Sequence, residues 1–121
     1  MSAEMFWKMN TESSTEDKAM GEKHAPTIAV EGECKAGQPV KVKVGIGNGK
    51  HPNENAHHIQ WIELRCNDLY IGRVEFSPVI LEPQAEFTMN IPGGEQLTLT
   101  AISRCNLHGL WKTEKTCQVA R

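Results

Sequence analysis

From residue 27 onward, apolar residues recur at every second position over much of the chain. The sharpest case is Val40-Lys41-Val42-Lys43-Val44-Gly45-Ile46, with valines at one parity and lysines at the other. A period of two is the repeat of an extended strand, whose successive side chains point to opposite faces, so this segment predicts a strand with one buried face. The same signal, with its β-branched residues, predicts seven strands at residues 27–30, 39–46, 58–66, 69–76, 85–91, 96–103 and 110–119. Turn residues fall between them, as Gly37-Gln38-Pro39, Asn67-Asp68, Glu82-Pro83 and Pro92-Gly93-Gly94. Asn67-Asp68 is placed to close a tight hairpin between the third and fourth strands. No stretch of ten or more residues carries a helical period. Seven short strands at this spacing predict an all-β chain, an immunoglobulin-like β-sandwich.

Residues 1–20 read differently. The run Thr11-Glu12-Ser13-Ser14-Thr15-Glu16-Asp17-Lys18 cannot bury an apolar face at either period, so this segment is expected to be a polar leader with at most a helical turn. Residues 21–121 are then the folded domain, since 121 residues suffice for one core and not for two. A formal charge of -2 carries no basic excess, which argues against nucleic acid and anionic membrane as partners. No apolar stretch approaches a membrane span, and the first residues lack the basic start and apolar run of an export signal. The expected location is cytoplasmic, where Cys34, Cys66, Cys105 and Cys117 would stay reduced. Cys34, Cys66 and Cys117 read as small buried hydrophobes, with a reactive thiol as the alternative for Cys34 in its loop.

A sandwich by itself implies no chemistry, so function has to come from a site. His24, His51, His57 and His108 lie in or beside predicted loops, and Cys105 lies at a strand end. Any one loop histidine alone reads as a solvated group. Taken together, four histidines and a cysteine on loops that a sandwich gathers at one end point to a metal. The two residues between Cys105 and His108 let one tight turn aim thiol and imidazole at a common point. Imidazole and thiolate suit zinc, copper or iron rather than calcium or magnesium. Five donors exceed the four of a structural zinc site, and a copper site of the sandwich type lacks its axial methionine, since no Met follows Met89. Five protein donors around an octahedral metal leave one position open.

Three segments, Glu22-Lys23-His24-Ala25-Pro26, His51-Pro52-Asn53 with His57-His58-Ile59-Gln60-Trp61-Ile62-Glu63-Leu64, and Cys105-Asn106-Leu107-His108-Gly109-Leu110-Trp111, resemble the superoxide reductases, in the short one-iron class called neelaredoxin. The resemblance covers nearly everything from about Gly21 onward. Ala25 stands where the family often has Val. Two-domain relatives add a small N-terminal domain that binds a second iron through four cysteines. Here no cysteine precedes Cys34, so that centre is not expected.

The resemblance implies one iron ion (Fe2+/Fe3+) per chain, held by His24, His51, His57 and His108 in a plane with Cys105 on the axis, and superoxide reduced to hydrogen peroxide at the sixth position. His58, next to His57, is left out of the site, because strand alternation would point it to the other side if that segment is already extended. Lys23 is implied as the cation that draws in superoxide and orders the proton-delivering water, and Glu22 as a carboxylate that ligates the oxidised iron. Backbone amides near Leu107 and His108 should bond the Cys105 sulfur. A rubredoxin-like electron donor is implied, docking on Pro52, Leu110 and Trp111, and so is a homo-oligomer, dimer or tetramer. The competing readings are a superoxide dismutase, a non-catalytic copper or zinc sandwich for metal binding or electron transfer, and a pure interaction module.

Overall fold

In the structure, a computed structural model describing residues 3–47 and 51–120, the predicted valine face is the inner face of β3 (Pro39–Ile46). Val40, Val42 and Val44 are buried while Lys41 and Lys43 stand in solvent. β3 is the middle strand of an antiparallel sheet, between β2 (Pro26–Glu31) and β6 (Ala85–Asn90). On its wet face Lys43 pairs with Glu31 at 2.8 Å and Lys41 with Glu86 at 3.7 Å. Such exposed cross-strand pairs set register more than stability.

A second sheet faces the first across one core. Its order is β1 (Met9–Asn10), β8 (Gly109–Gln118), β7 (Gln96–Cys105), β4 (Ile59–Cys66) and β5 (Leu69–Glu75), antiparallel except for the β1–β8 pair. Ile62 and Leu64 from β4 and Leu97, Leu99 and Ala101 from β7 meet the valines of β3 with almost no exposure. Each large side chain buried this way contributes about 1.5–3 kcal/mol of transfer free energy. Asn67 and Asp68 close the β4–β5 hairpin with φ of 48° and 68°. These are the positive values a two-residue turn matched to strand twist requires.

All seven expected strands form, with ends shifted by no more than two residues. Among the described residues the strands nonetheless number eight, one more than expected, in sheets of three and five. The additional strand, β1, comes from the segment read as leader and is too short for any periodicity to reveal. It is held by Asn10, whose buried amide donates to the carbonyls of Met5 at 2.8 Å and Leu110 at 2.9 Å. Those bonds also tie α1 (Ala3–Phe6) to the start of β8. The same segment starts α2 (Lys18–His24), where Asp17 caps the first turn by accepting from the Met20 N–H at 3.2 Å. Among the described residues no helix is long and apolar enough to cross a membrane.

Candidate metal centre

Three chain segments build the centre. The first is the C-terminal end of α2, which places His24 against the sheet. Here Gly47 is required. At φ 64°, its N–H donates to the Ala25 carbonyl at 2.8 Å, and a Cβ would strike the carbonyl oxygens of Glu22 and Lys23. Glycine therefore lets the chain after β3 lie flat against the turn carrying Glu22, Lys23 and His24.

The second segment is the loop from His51 to His57 leading into β4. Glu54 and His57 exchange backbone bonds of 2.9 and 3.1 Å, which folds the loop back on itself. β4 then enters its ladder with a bulge, since Ile59 pairs with Cys105 and Trp61 with Arg104. The extra residue, Gln60, is accommodated by the Phe76 N–H at 2.9 Å and by Arg104 at 3.0 Å. Bulges bend a strand and re-aim its neighbours. This one lies against Cys105 and turns the loop over the end of β7.

The third is the three-residue loop between β7 and β8. Cys105 pairs with Gly109, and Gly109 at φ 80° closes a loop of Asn106, Leu107 and His108. That is the structural content of the Cys105-x-x-His108 spacing. The thiol is the last residue of one strand, and the imidazole is the last residue before the next.

Together the segments form a square of rings. Adjacent imidazole centroids lie 4.6 Å apart for His24–His51, 4.8 Å for His51–His57, 5.1 Å for His57–His108 and 4.7 Å for His24–His108. Neighbouring rings are tilted by 62–83°, while His24 and His57, across the diagonal at 6.3 Å, are within 27° of parallel. Donor atoms of His24, His57, Cys105 and His108 all lie within 4.8 Å of one another. His51 lies outside that tighter group of four, although its ring completes the square.

Hydrogen bonding outside the square sets which nitrogens face in. The Met20 carbonyl accepts from His24 Nδ1 at 2.9 Å and the Pro52 carbonyl from His51 Nδ1 at 2.7 Å. Carbonyls only accept, so those nitrogens carry the protons and leave both Nε2 atoms as bare donors. Among the described residues, Nε2 of His51 and Nε2 of His57 are buried with no hydrogen-bond partner, a costly state unless something binds there. His24 Nε2 and His108 Nδ1 lie 3.1 Å apart, and Cys105 Sγ lies 3.6 Å from the same His108 atom. Two ring nitrogens that close need a proton or a cation between them. These inward donors are the test of fit for a metal, and they meet it.

Electrostatics agree. Burial, with the neighbouring imidazoles adding to it, pushes His24 and His51 down to about 4, and burial lowers His57 and His108 as well. All four are neutral at pH 7, as ligands must be. Burial pushes the Cys105 thiol up, opposed by the backbone amides of Leu107 and His108, which bond its sulfur. A thiolate there needs a cation beside it.

The remaining predicted residues stand apart from the square. Glu22, half-buried, has its carboxylate 3.8 Å from Lys18, and Lys23 is exposed on the last turn of α2. His58 turns away, with Nδ1 3.1 Å from the Glu54 carbonyl, but it precedes β4 rather than belonging to it, so strand alternation is not the reason. Trp111, expected on a docking surface, is fully buried. Its ring stacks on His24 at 5.1 Å and its Nε1 donates to the His108 carbonyl at 3.1 Å. A cleft of about 750 Å³ runs past Gly45, Pro52, Val79 and Gln84 and meets the donor set only at His51.

Comparison with known proteins places this geometry. The family described as Desulfoferrodoxin matches residues 16–114. The superoxide reductase of Pyrococcus horikoshii is 42% identical over 104 residues, covering 78% of this chain and 86% of that protein. Among solved structures, the superoxide reductase (neelaredoxin) of Ignicoccus hospitalis superposes with a TM-score of 0.80 at 37% identity, covering 99% of each chain. The superoxide reductase of Nanoarchaeum equitans gives 0.72 at 37% identity over 90% of this chain and 99% of its own.

Proposed function

The chain belongs to the desulfoferrodoxin family, in the superoxide reductase class of neelaredoxin type, and from that membership we propose how its residues serve the reaction. It is an oxidoreductase that carries one iron and acts on superoxide. His24, His51, His57 and His108 would hold the iron through imidazole nitrogen and Cys105 through sulfur. When bound, the iron supplies the single electron that, with two protons, takes superoxide to hydrogen peroxide. The observation that carries this reading is the square of neutral imidazoles with two buried, unpartnered nitrogens beside a buried thiol.

The residues around the square divide the remaining work. Lys23 adds a positive charge next to His24 to a chain of net negative charge, which draws in the small anion, and its Nζ orders the water that delivers a proton. Glu22 would offer its carboxylate to the iron as a further ligand. Leaving Lys18 costs it little, because that lysine is exposed and the ion pair is long, at 3.8 Å. Leu107 and His108 amides restrain the Cys105 sulfur from donating too much charge. A rubredoxin-like protein returns the electron, docking over Pro52 and Leu110, with the buried Trp111 taking no part. The protein works in the cytoplasm as a homo-oligomer, dimer or tetramer, a compartment that suits four free thiols.

An iron assay combined with stopped-flow reaction with superoxide tests the reading. The expected result is one iron per chain and one peroxide formed per superoxide, with reductant consumed. One zinc or copper per chain without iron would overturn it. Half a peroxide per superoxide with no reductant consumed would identify a dismutase instead.

A further inference from the structure

Asn106 lies between Cys105 and His108, and its contacts run away from both. Its backbone N–H donates to the His58 carbonyl at 3.1 Å. Its side-chain Oδ1 accepts from the His58 N–H at 2.9 Å, and its Nδ2 donates to the Ala56 carbonyl at 3.0 Å. The two peptides gripped are those on either side of His57. One amide thus spans the gap between the loop that carries Cys105 and His108 and the loop that carries His57. β4 does not span it, because its ladder to β7 begins only at Ile59 and is bulged at Gln60.

The consequence follows from what His57 lacks. Its Nε2, like that of His51, is buried without a hydrogen bond among the described residues, and no described residue bonds its Nδ1 either, so no hydrogen bond orients the ring. His24 and His51, by contrast, each have a ring nitrogen fixed by a carbonyl, Met20 and Pro52 respectively. For His57 the orienting has to come through its backbone, and Asn106 bonds both neighbours.

We propose that Asn106 is a positioning residue that registers the His57 imidazole against the Cys105–His108 pair, doing through the main chain what a carbonyl does for His24 and His51. The proposal rests on the reading of these residues as the iron centre. Both ends of the amide are needed. Oδ1 alone fixes the strand-side peptide, and only Nδ2 fixes the peptide before His57. An aspartate, which keeps the acceptor and sets a charge against the Ala56 carbonyl, should hold the loop only in part.

Iron-loaded wild type, Asn106→Ala, Asn106→Asp and Asn53→Ala are challenged with a chelator well below their melting temperatures, and iron release and the sulfur-to-iron absorption band are followed. Asn53 is the control. It anchors the same loop to the far side, through Val79 and Leu81 at 2.9–3.4 Å, without touching the Cys105–His108 loop. Asn106→Ala should lose iron about 10–100-fold faster, the usual range when an outer hydrogen bond to a ligand is removed, with a shifted band. Asn106→Asp should fall between, and Asn53→Ala should stay near wild type even if its melting temperature drops equally. Asn106→Ala retaining iron and band like wild type would overturn the clamp alone, as would Asn53→Ala releasing iron equally fast. Wild type that takes up no iron would overturn the reading of the centre itself, and the clamp with it.

Discussion

Cys105 and Cys66 end neighbouring strands of one sheet, and because β7 and β4 run antiparallel they stand at opposite ends of the molecule. Both are buried, and burial pushes both thiols up. Cys66 is followed by the two-residue turn Asn67-Asp68, and its surroundings are the apolar core with Cys117 nearby. Cys105 is followed by three loop residues, the last of which brings an imidazole to 3.6 Å of the sulfur while two amides turn toward it. A ligand thiol is therefore made by the turn after the strand, and burial is common to both ends.

Exchanging sulfur for oxygen at each end breaks the comparison most severely. Cys105→Ser should abolish the sulfur-to-iron absorption band and weaken iron retention by more than the ~10–100-fold typical of outer contacts. Cys66→Ser should leave band and iron intact while lowering stability by about 1–3 kcal/mol, because a hydroxyl would be buried among apolar side chains. A band that survives Cys105→Ser would remove that residue from the centre.

Large side chains packed at each end test the next level. Trp111 and Leu97 are almost completely buried, so Trp111→Ala and Leu97→Ala should each cost about 2–5 kcal/mol in denaturant unfolding. They should part company in the visible spectrum. Trp111 stacks on His24 and bonds the His108 carbonyl, so its loss should disturb two ligands, whereas loss of Leu97 should leave the spectrum unchanged. Equal spectral effects would mean that packing transmits strain along the whole sheet.

Midway between the ends, Glu63 is a buried carboxylate on β4. Arg65 Nε and Arg73 Nη2 each lie 2.7 Å from it, and Arg73 in turn lies over Trp61 at 4.0 Å. Burial alone would raise the Glu63 carboxyl, but the hydrogen bonds from Arg73 and Arg65 outweigh it and hold it below the ordinary carboxylate range. A folded-state pKa below the unfolded one stabilises the protein above the unfolded pKa. That stability is lost as pH falls through the folded value. Glu63→Gln should therefore be less stable by about 2 kcal/mol at neutral pH, with the gap to wild type narrowing below about pH 4. A gap constant with pH would show that shape, not charge, holds the cluster. Iron binding should be untouched at either pH where both proteins remain folded.

The two ends also differ in how much of them could be read from the sequence. Away from the metal centre nearly everything was local. Alternation gave the buried faces of Val40, Val42 and Val44, and Asn67-Asp68 announced its own turn chemistry. At the metal end the donor residues stand out by type, but their supports do not. The carbonyls that orient His24 and His51 belong to Met20 and Pro52, and a backbone acceptor leaves no trace in side-chain identity. Trp111 reads as one more apolar residue until tertiary packing lays it on His24. The strand at Met9–Asn10 is fixed by one buried amide in a polar segment, so no periodicity could reveal it. Asn106 alone left a signal, as an asparagine in a three-residue loop, where its amide commonly bonds backbone.

The smallest expected effect concerns charge, and it too is a matter of which end. Lys23 and Lys41 are both exposed, but Lys23 adjoins His24 while Lys41, ion-paired with Glu86, stands opposite Glu31 in the strand register at the far end of β2 and β3. Lys23→Ala and Lys41→Ala change the net charge equally. If superoxide responds to the chain as a whole, both should slow its second-order reaction alike. If it is drawn in locally, only Lys23→Ala should slow it, by about tenfold or less, and only that variant should flatten the dependence on ionic strength, because the Debye length of about 10 Å at 0.1 M screens the distant lysine first. Stopped-flow rates across a salt series separate these outcomes. Equal slowing by the two substitutions would remove Lys23 from the site and leave net charge as the only electrostatic control on the encounter.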